Sequence, residues 1–325
     1  MELLKRLTQT DAVSGREESV LKIIENEIKP LGYEVSYDGL GSLIAHKKGN
    51  GKKLMIAAHT DEIGVISNYI DDNGFVKFGA VGGLDVNELL KRRVRFENGV
   101  TGIISSMQKD ATKTEISKLY IDIGAKDKAE AEKMVSVGDT AVFDGEHVLN
   151  EGTVISKALD DRVGCYILIR AMEKIKSSDN DLYFVFTSQE EVGCRGGKTA
   201  SFTVMPDFAI AVDVTDCNDT PDSEKGDVKL FGGAAIKVMD RSVMCDMHIV
   251  NTLRNLADKE KIPYTNEIMT DGGTDAGAIA LTAGGVKSGG ISVPVRYIHS
   301  PSELAAISDI NACIDLLCAA CMYKW

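Results

Sequence analysis

Leu54-Met55-Ile56-Ala57-Ala58-His59-Thr60-Asp61 is a short apolar run that ends in a histidine and a carboxylate. A run of that length with polar residues at its end reads as a strand buried on both faces, the kind found inside a parallel sheet. Three other segments share the form: Leu182 to Phe186 followed by Thr187-Ser188-Gln189-Glu190-Glu191, Phe208 to Val212 followed by Asp213, and Ile291 to Val295 followed by Arg296-Tyr297-Ile298-His299. Helical patterns lie around them, from Glu17 to about Pro30, Asp160 to Lys176, Ser242 to Lys259 and Ser302 to Met322. Strands alternating with long helices imply an α/β fold, a mostly parallel sheet sandwiched by helices.

Between about Ser67 and Ser156 the texture changes to short, glycine-rich strands. Asn73-Gly74 and Asn98-Gly99 each stand between alternating apolar runs, the strongest local signal for a hairpin. One helix interrupts the series, near Asp127 to Val135. The expected organisation is a discontinuous α/β domain, residues 1–66 and 157–325, with a small β-barrel-like domain, residues 67–156, inserted into it.

The chain has 325 residues, with 37 Lys and Arg against 49 Asp and Glu, a formal charge of −12. That balance repels phosphate backbones and anionic lipid, so neither nucleic acid nor a membrane is an expected partner. No segment approaches the roughly 18 consecutive apolar residues of a membrane span. The opening residues read as amphipathic helix rather than a targeting signal, which places the expected location in the cytoplasm. Seven cysteines, spread singly, read as reduced core thiols, and no Cys-x-x-Cys pair fits a zinc site.

Ligands of open α/β sheets collect at the carboxyl ends of strands, which is where the four apolar runs deliver their polar residues. A fifth segment, Ala158-Leu159-Asp160-Asp161-Arg162, opens a helix. Two imidazoles and several carboxylates converging at one sheet edge would repel without cations, and divalent metals are the usual remedy. Imidazole with carboxylate suits zinc, cobalt or manganese. Asp61, two residues after His59, can hold the ring nitrogen that does not ligate, and adjacent Glu190 and Glu191 allow one to bind metal while the other serves as base. Taken singly, each feature has an ordinary explanation: a structural His-x-Asp, a helix cap at Asp160, a solvated Glu pair. The conjunction shifts the balance, because two of only five histidines directly follow strand patterns, while His46, His147 and His248 read as structural.

These residues sit in longer motifs: AAHTDEIG (57–64), KALDDRVG (157–164), TSQEEVGCRGG (187–197), AVDVTD (211–216), DGGTDAGAI (271–279) and VPVRYIHSP (293–301), with Val13-Ser14-Gly15, Glu17 and Glu18 upstream. In that order they resemble the M42 family of metallo-aminopeptidases. The resemblance implies a zinc-exopeptidase-like α/β domain interrupted by a β-rich dimerisation domain, peptide substrates, and homodimers that assemble into dodecamers. It implies two divalent ions per subunit, zinc or cobalt, with His59 and Asp213 on one, Glu191 and His299 on the other, and Asp160 bridging. Glu190 becomes the general base and Asp61 the residue that orients His59. Some relatives carry an endoglucanase label, but a sugar groove is usually lined by aromatics, and this chain has 6% aromatic residues and one tryptophan. A deacylase or carboxypeptidase with the same metals is the other alternative. Lys287, in the glycine-rich segment Gly284 to Gly290, is expected to lie near the crevice and pair with an acidic first side chain of the substrate.

Overall fold

The computed structural model describes residues 1–108, 115–221, 223 and 225–325. The strand Lys53–His59 lies at the centre of an eleven-stranded sheet, and its alternate side chains show why. Leu54, Ile56 and Ala58 enter one buried cluster while Met55 and Ala57 enter another on the opposite face. Both faces are therefore covered, which is what an unbroken apolar run requires. Asp181–Thr187 and Phe208–Asp216 pair in parallel on either side of this strand, and Lys287–Arg296 pairs in parallel with Phe208–Asp216.

Outside these four strands the pairing becomes largely antiparallel. Leu43–Lys47 and Glu34–Tyr37 form a hairpin at one edge, and Glu303–Ala306, Thr153–Ser156 and Val148–Leu149 extend the other. Ala234–Met239 and Tyr264–Ile268 form a branch against Lys287–Arg296. The larger cluster is roofed by the helices Glu18–Ile28, Leu159–Lys174, Met247–Glu260 and Ile307–Met322. Arg195–Val204 and Asp275–Ala280 cover the smaller cluster on the other face.

The strands Gly64–Ile70, Val76–Val81, Arg93–Phe96, Thr101–Ser106, Leu119–Asp122 and Thr140–Phe143 close into a barrel with its own buried core, including Val65, Phe78, Phe96 and Ile121. Both Asn-Gly pairs make turns of this barrel, with Gly74 and Gly99 at φ of 85° and 88°. Barrel pairing spans 64–143, whereas the expected insert spans 67–156. Gly64 pairs with Val81 and Val142, while Thr153–Ser156 pairs with Glu303–Ala306 in the large sheet. All seven cysteines are free thiols. Among the described residues no helix is long and apolar enough to cross a membrane.

Candidate metal centre

Parallel pairing aligns the strand ends that carry the chemistry. Thr187 stands opposite His59, so Ser188 to Glu191 leave the sheet beside that histidine. On the other side Asp213 falls near the end of its strand, and His299 follows Lys287–Arg296 after a short turn. Asp160 enters from the start of the helix beneath. It is not the cap of that helix. Asp161 fills that role, its Oδ1 accepting the Gly164 N–H at 3.0 Å, which leaves the Asp160 carboxylate free.

Asp160 is the hub. Its Oδ1 lies 2.9 Å from His59 Nε2 and its Oδ2 lies 3.2 Å from His299 Nε2. Beyond His59 stand Asp213 Oδ1 at 3.8 Å and Glu190 Oε2 at 4.0 Å. Beyond His299 stands Glu191 Oε2 at 3.3 Å, and the other oxygen of Glu191 is buried with no partner among the described residues. Two imidazoles sharing one carboxylate, with a further carboxylate beside each and an unsatisfied buried oxygen, make a donor set that suits divalent cations of the zinc or cobalt kind.

The surrounding residues fix this arrangement. His59 Nδ1 meets the main-chain carbonyl of Asp61 at 3.1 Å and its carboxylate at 3.5 Å. A carbonyl can only accept, so Nδ1 carries the proton and Nε2 is left to face the crevice. The Asp61 carboxylate mainly holds the neighbouring loop, accepting the N–H groups of Glu190 at 2.9 Å and Glu191 at 3.1 Å and the Ser14 hydroxyl at 2.6 Å. Glu17 accepts the Gln189 N–H at 2.9 Å, so three successive amides of the glutamate loop are tied down. Glu303 does the same for two other candidate ligands, accepting the N–H of Asp160 at 3.0 Å and of His299 at 2.9 Å.

Burial and mutual charge dominate the electrostatics. Burial works to lower the His299 pKa, but hydrogen bonds to Asp160 and Glu191 outweigh it and push it up to about 12. His59 is raised well above its ordinary value in the same way, by Asp160 and Asp61 against burial. Burial pushes Asp213 up to about 8 and carries Glu190 well above the carboxylate range, with His59 opposing both shifts. Without cations, then, the cluster keeps its charge down by holding protons.

The structure thus brings His59, Asp61, Asp160, Glu190, Glu191, Asp213 and His299 into one crevice, and it does not bring Lys287 there. Lys287 opens its strand opposite Phe208, while Asp213 stands opposite Ser292. Five residues at about 3.3 Å each separate the two levels, so the lysine lies about 16 Å away along the strand. Its Nζ sits 5.9 Å above the Phe208 ring and 4.0 Å from Asp246. Sequence reasoning misses Glu303, because the helical pattern from Ser302 places it on a helix, whereas it lies on the strand Glu303–Ala306. It also gave no role to Glu17, Cys194 or Asp275, although each falls inside or beside a quoted motif.

A family model described as M42 glutamyl aminopeptidase matches residues 41–316. A putative aminopeptidase of Acetivibrio thermocellus is 53% identical over 321 residues, covering 98% of this chain and 97% of that protein. Among solved structures, an aminopeptidase from the archaeon Desulfurococcus kamchatkensis superposes with a TM-score of 0.94 at 38% identity, covering 99% of this chain and 94% of its own. The Pyrococcus horikoshii TET1 peptidase, described as able to assemble into a tetrahedron or a large octahedral shell, has a TM-score of 0.89 at 33% identity, with 99% and 98% covered.

Proposed function

The chain belongs to the M42 glutamyl aminopeptidase family, and from that premise we propose how its crevice releases amino-terminal residues from peptides. It is an aminopeptidase, a peptide-bond hydrolase that depends on divalent metal. In our reading two cations bind, zinc or cobalt, one held by His59 and Asp213, the other by Glu191 and His299, with Asp160 shared. The observation that carries this is the Asp160 carboxylate, which offers one oxygen to each imidazole, at 2.9 Å and 3.2 Å. When bound, the cations polarise the scissile carbonyl, acidify the attacking water and offer a seat for the substrate's free amine.

The chain's own residues supply the proton traffic. Glu190 is anchored through its N–H to Asp61 and through Oε1 to the Cys194 thiol at 3.0 Å, which leaves Oε2 toward His59 and the crevice. It takes the proton from the attacking water and delivers it to the departing amine. Glu303 and Asp61 fix the main chain on which four of the functional side chains are mounted. A glycoside hydrolase reading finds no support here, because the sole tryptophan, Trp325, packs 5.2 Å from the Phe208 ring, at the end of the sheet away from the crevice. The barrel is the proposed dimerisation body, and dimers assembling into a dodecamer are the proposed particle.

Glu190→Gln tests the assignment. The variant should retain its bound metal and lose kcat by about 10² to 10⁴-fold, the scale of a lost general base. An unchanged kcat with metal retained would remove Glu190 from that role.

A further inference from the structure

On the side of Glu190 away from His59 lies a second set of donors. One ligand atom each from Glu190, Cys194 and Asp275 lies within 4.8 Å of the others. Cys194 immediately precedes the helix Arg195–Val204, in left-handed backbone at φ 51°, and Asp275 opens the helix Asp275–Ala280 that packs beside it. The Cys194 thiol donates to Glu190 Oε1 at 3.0 Å, and the Thr187 hydroxyl donates to Asp275 Oδ2 at 2.6 Å. Asp275 Oδ1 is buried with no partner among the described residues, and the residue is 3% exposed. Gly197 is what allows that carboxylate in, since a side chain there would collide with Asp275 Oδ1.

We propose that Glu190, Cys194 and Asp275 form a third divalent-cation site, selective for thiophilic ions of the zinc and cadmium class, whose filling takes the general base out of service. The inference rests on Glu190 being that base. Two carboxylates and a thiol buried together cannot all ionise without a counter-charge, and a hydrogen-bonded aspartate with one orphaned oxygen already costs free energy. Protons meet part of the need, since burial together with Glu190 raises the Cys194 thiol, while Asp275, pushed by burial up to about 6, still ionises near neutral pH. A bound cation would displace them, the Cys194 proton passing to solvent as the sulfur takes up the metal. The thiolate sets the preference, since sulfur favours zinc or cadmium, whereas magnesium and calcium favour oxygen alone. A cation on Oε1 would draw charge from the whole carboxylate, so that Oε2, which faces His59 and the crevice, becomes too weak a base to take the proton of the attacking water.

Cadmium is a suitable probe because its thiolate bond has an ultraviolet absorption of its own. Cobalt-loaded enzyme is titrated with cadmium while this band, the bound cobalt and cadmium by elemental analysis, and turnover are followed together. The expected result is uptake of one cadmium per chain with cobalt retained, growth of the band in proportion, and a fall in turnover of about a hundredfold. Cys194→Ala and Asp275→Asn should show no proportional band or no tight uptake, respectively, and each should keep its own starting rate over the same range. An equal band in Cys194→Ala, or cobalt lost in step with cadmium gained, overturns the site. Cadmium bound through Cys194 with turnover unchanged overturns the inhibitory effect, while Glu190→Gln, assayed without cadmium, decides separately whether Glu190 is the base.

Discussion

His59 faces Asp160, Asp213 and Glu190 across distances of 2.9, 3.8 and 4.0 Å, and a group so placed must carry either a proton or a metal. This choice makes stability without metal depend on pH. Asp213, pushed up to about 8, and His299, pushed up to about 12, bind protons more tightly folded than unfolded. Such groups contribute stability at low pH and lose it as pH rises from the unfolded value, near 3.9 for Asp and 6.5 for His, toward the folded one. Asp61 and Asp160, both held below 3.8, have the opposite sign but act only under about pH 4. Bound cations replace the protons. The gap in Tm between metal-loaded and metal-free protein should therefore widen from pH 5 to pH 8 in thermal melts, and a constant or narrowing gap would contradict the protonation scheme. At this scale the candidate ligands His59, Glu191, Asp213 and His299 were legible because each follows an apolar run, whereas Asp160, at the start of a helix, stood out only through its motif. Asp61 was legible only in part: its proximity to His59 could be read, but its main task, holding the amides of Glu190 and Glu191, depends on a loop geometry that spacing does not encode.

The strands Lys53–His59 and Asp181–Thr187 were readable because both faces are buried and no polar residue interrupts them. Ala234–Met239 was not, since it carries Lys237, which is buried and paired with Glu267 and Asp240 and so breaks the apolar pattern from which a strand is recognised. The apolar pattern places the start of the next parallel strand at Ile291 because Gly289 and Gly290 lower strand propensity, yet the strand begins at Lys287 and glycine is needed where it meets Ile249 and Lys237. A comparable contact joins barrel and crevice. The turn after Val76–Val81 places Gly82, at φ 83°, where a Cβ would come within 2.7 Å of Ile63 and 3.2 Å of Glu191 Oε2. Gly82→Ala combines that crowding with a backbone strain of about 1 to 2 kcal/mol. The expected outcome is a lower Tm together with a metal Kd raised about tenfold or more, read by competition with a chelator. Unaltered metal affinity would mean that the barrel turn does not help to seat Glu191.

The discontinuous α/β body and its inserted barrel were visible as a change of texture, but where they meet was not, because Thr153–Ser156 looks like another short strand until its pairing with Glu303–Ala306 is seen. The proposed dimer contact is tested on the barrel's outside. Ile103 is 47% exposed on Thr101–Ser106, an apolar residue that a partner would cover. Ile103→Asp should give smaller particles in sedimentation, and an unchanged particle mass would move the contact elsewhere. The central claim, that one crevice works through two cations held by His59, Asp160, Glu191, Asp213 and His299, is tested most directly by counting. Protein stripped with a chelator is given cobalt in measured steps while hydrolysis of an aminoacyl amide is followed. The account predicts no activity without metal and a plateau at two ions per chain, whereas full activity without metal, or a plateau at one, would contradict it.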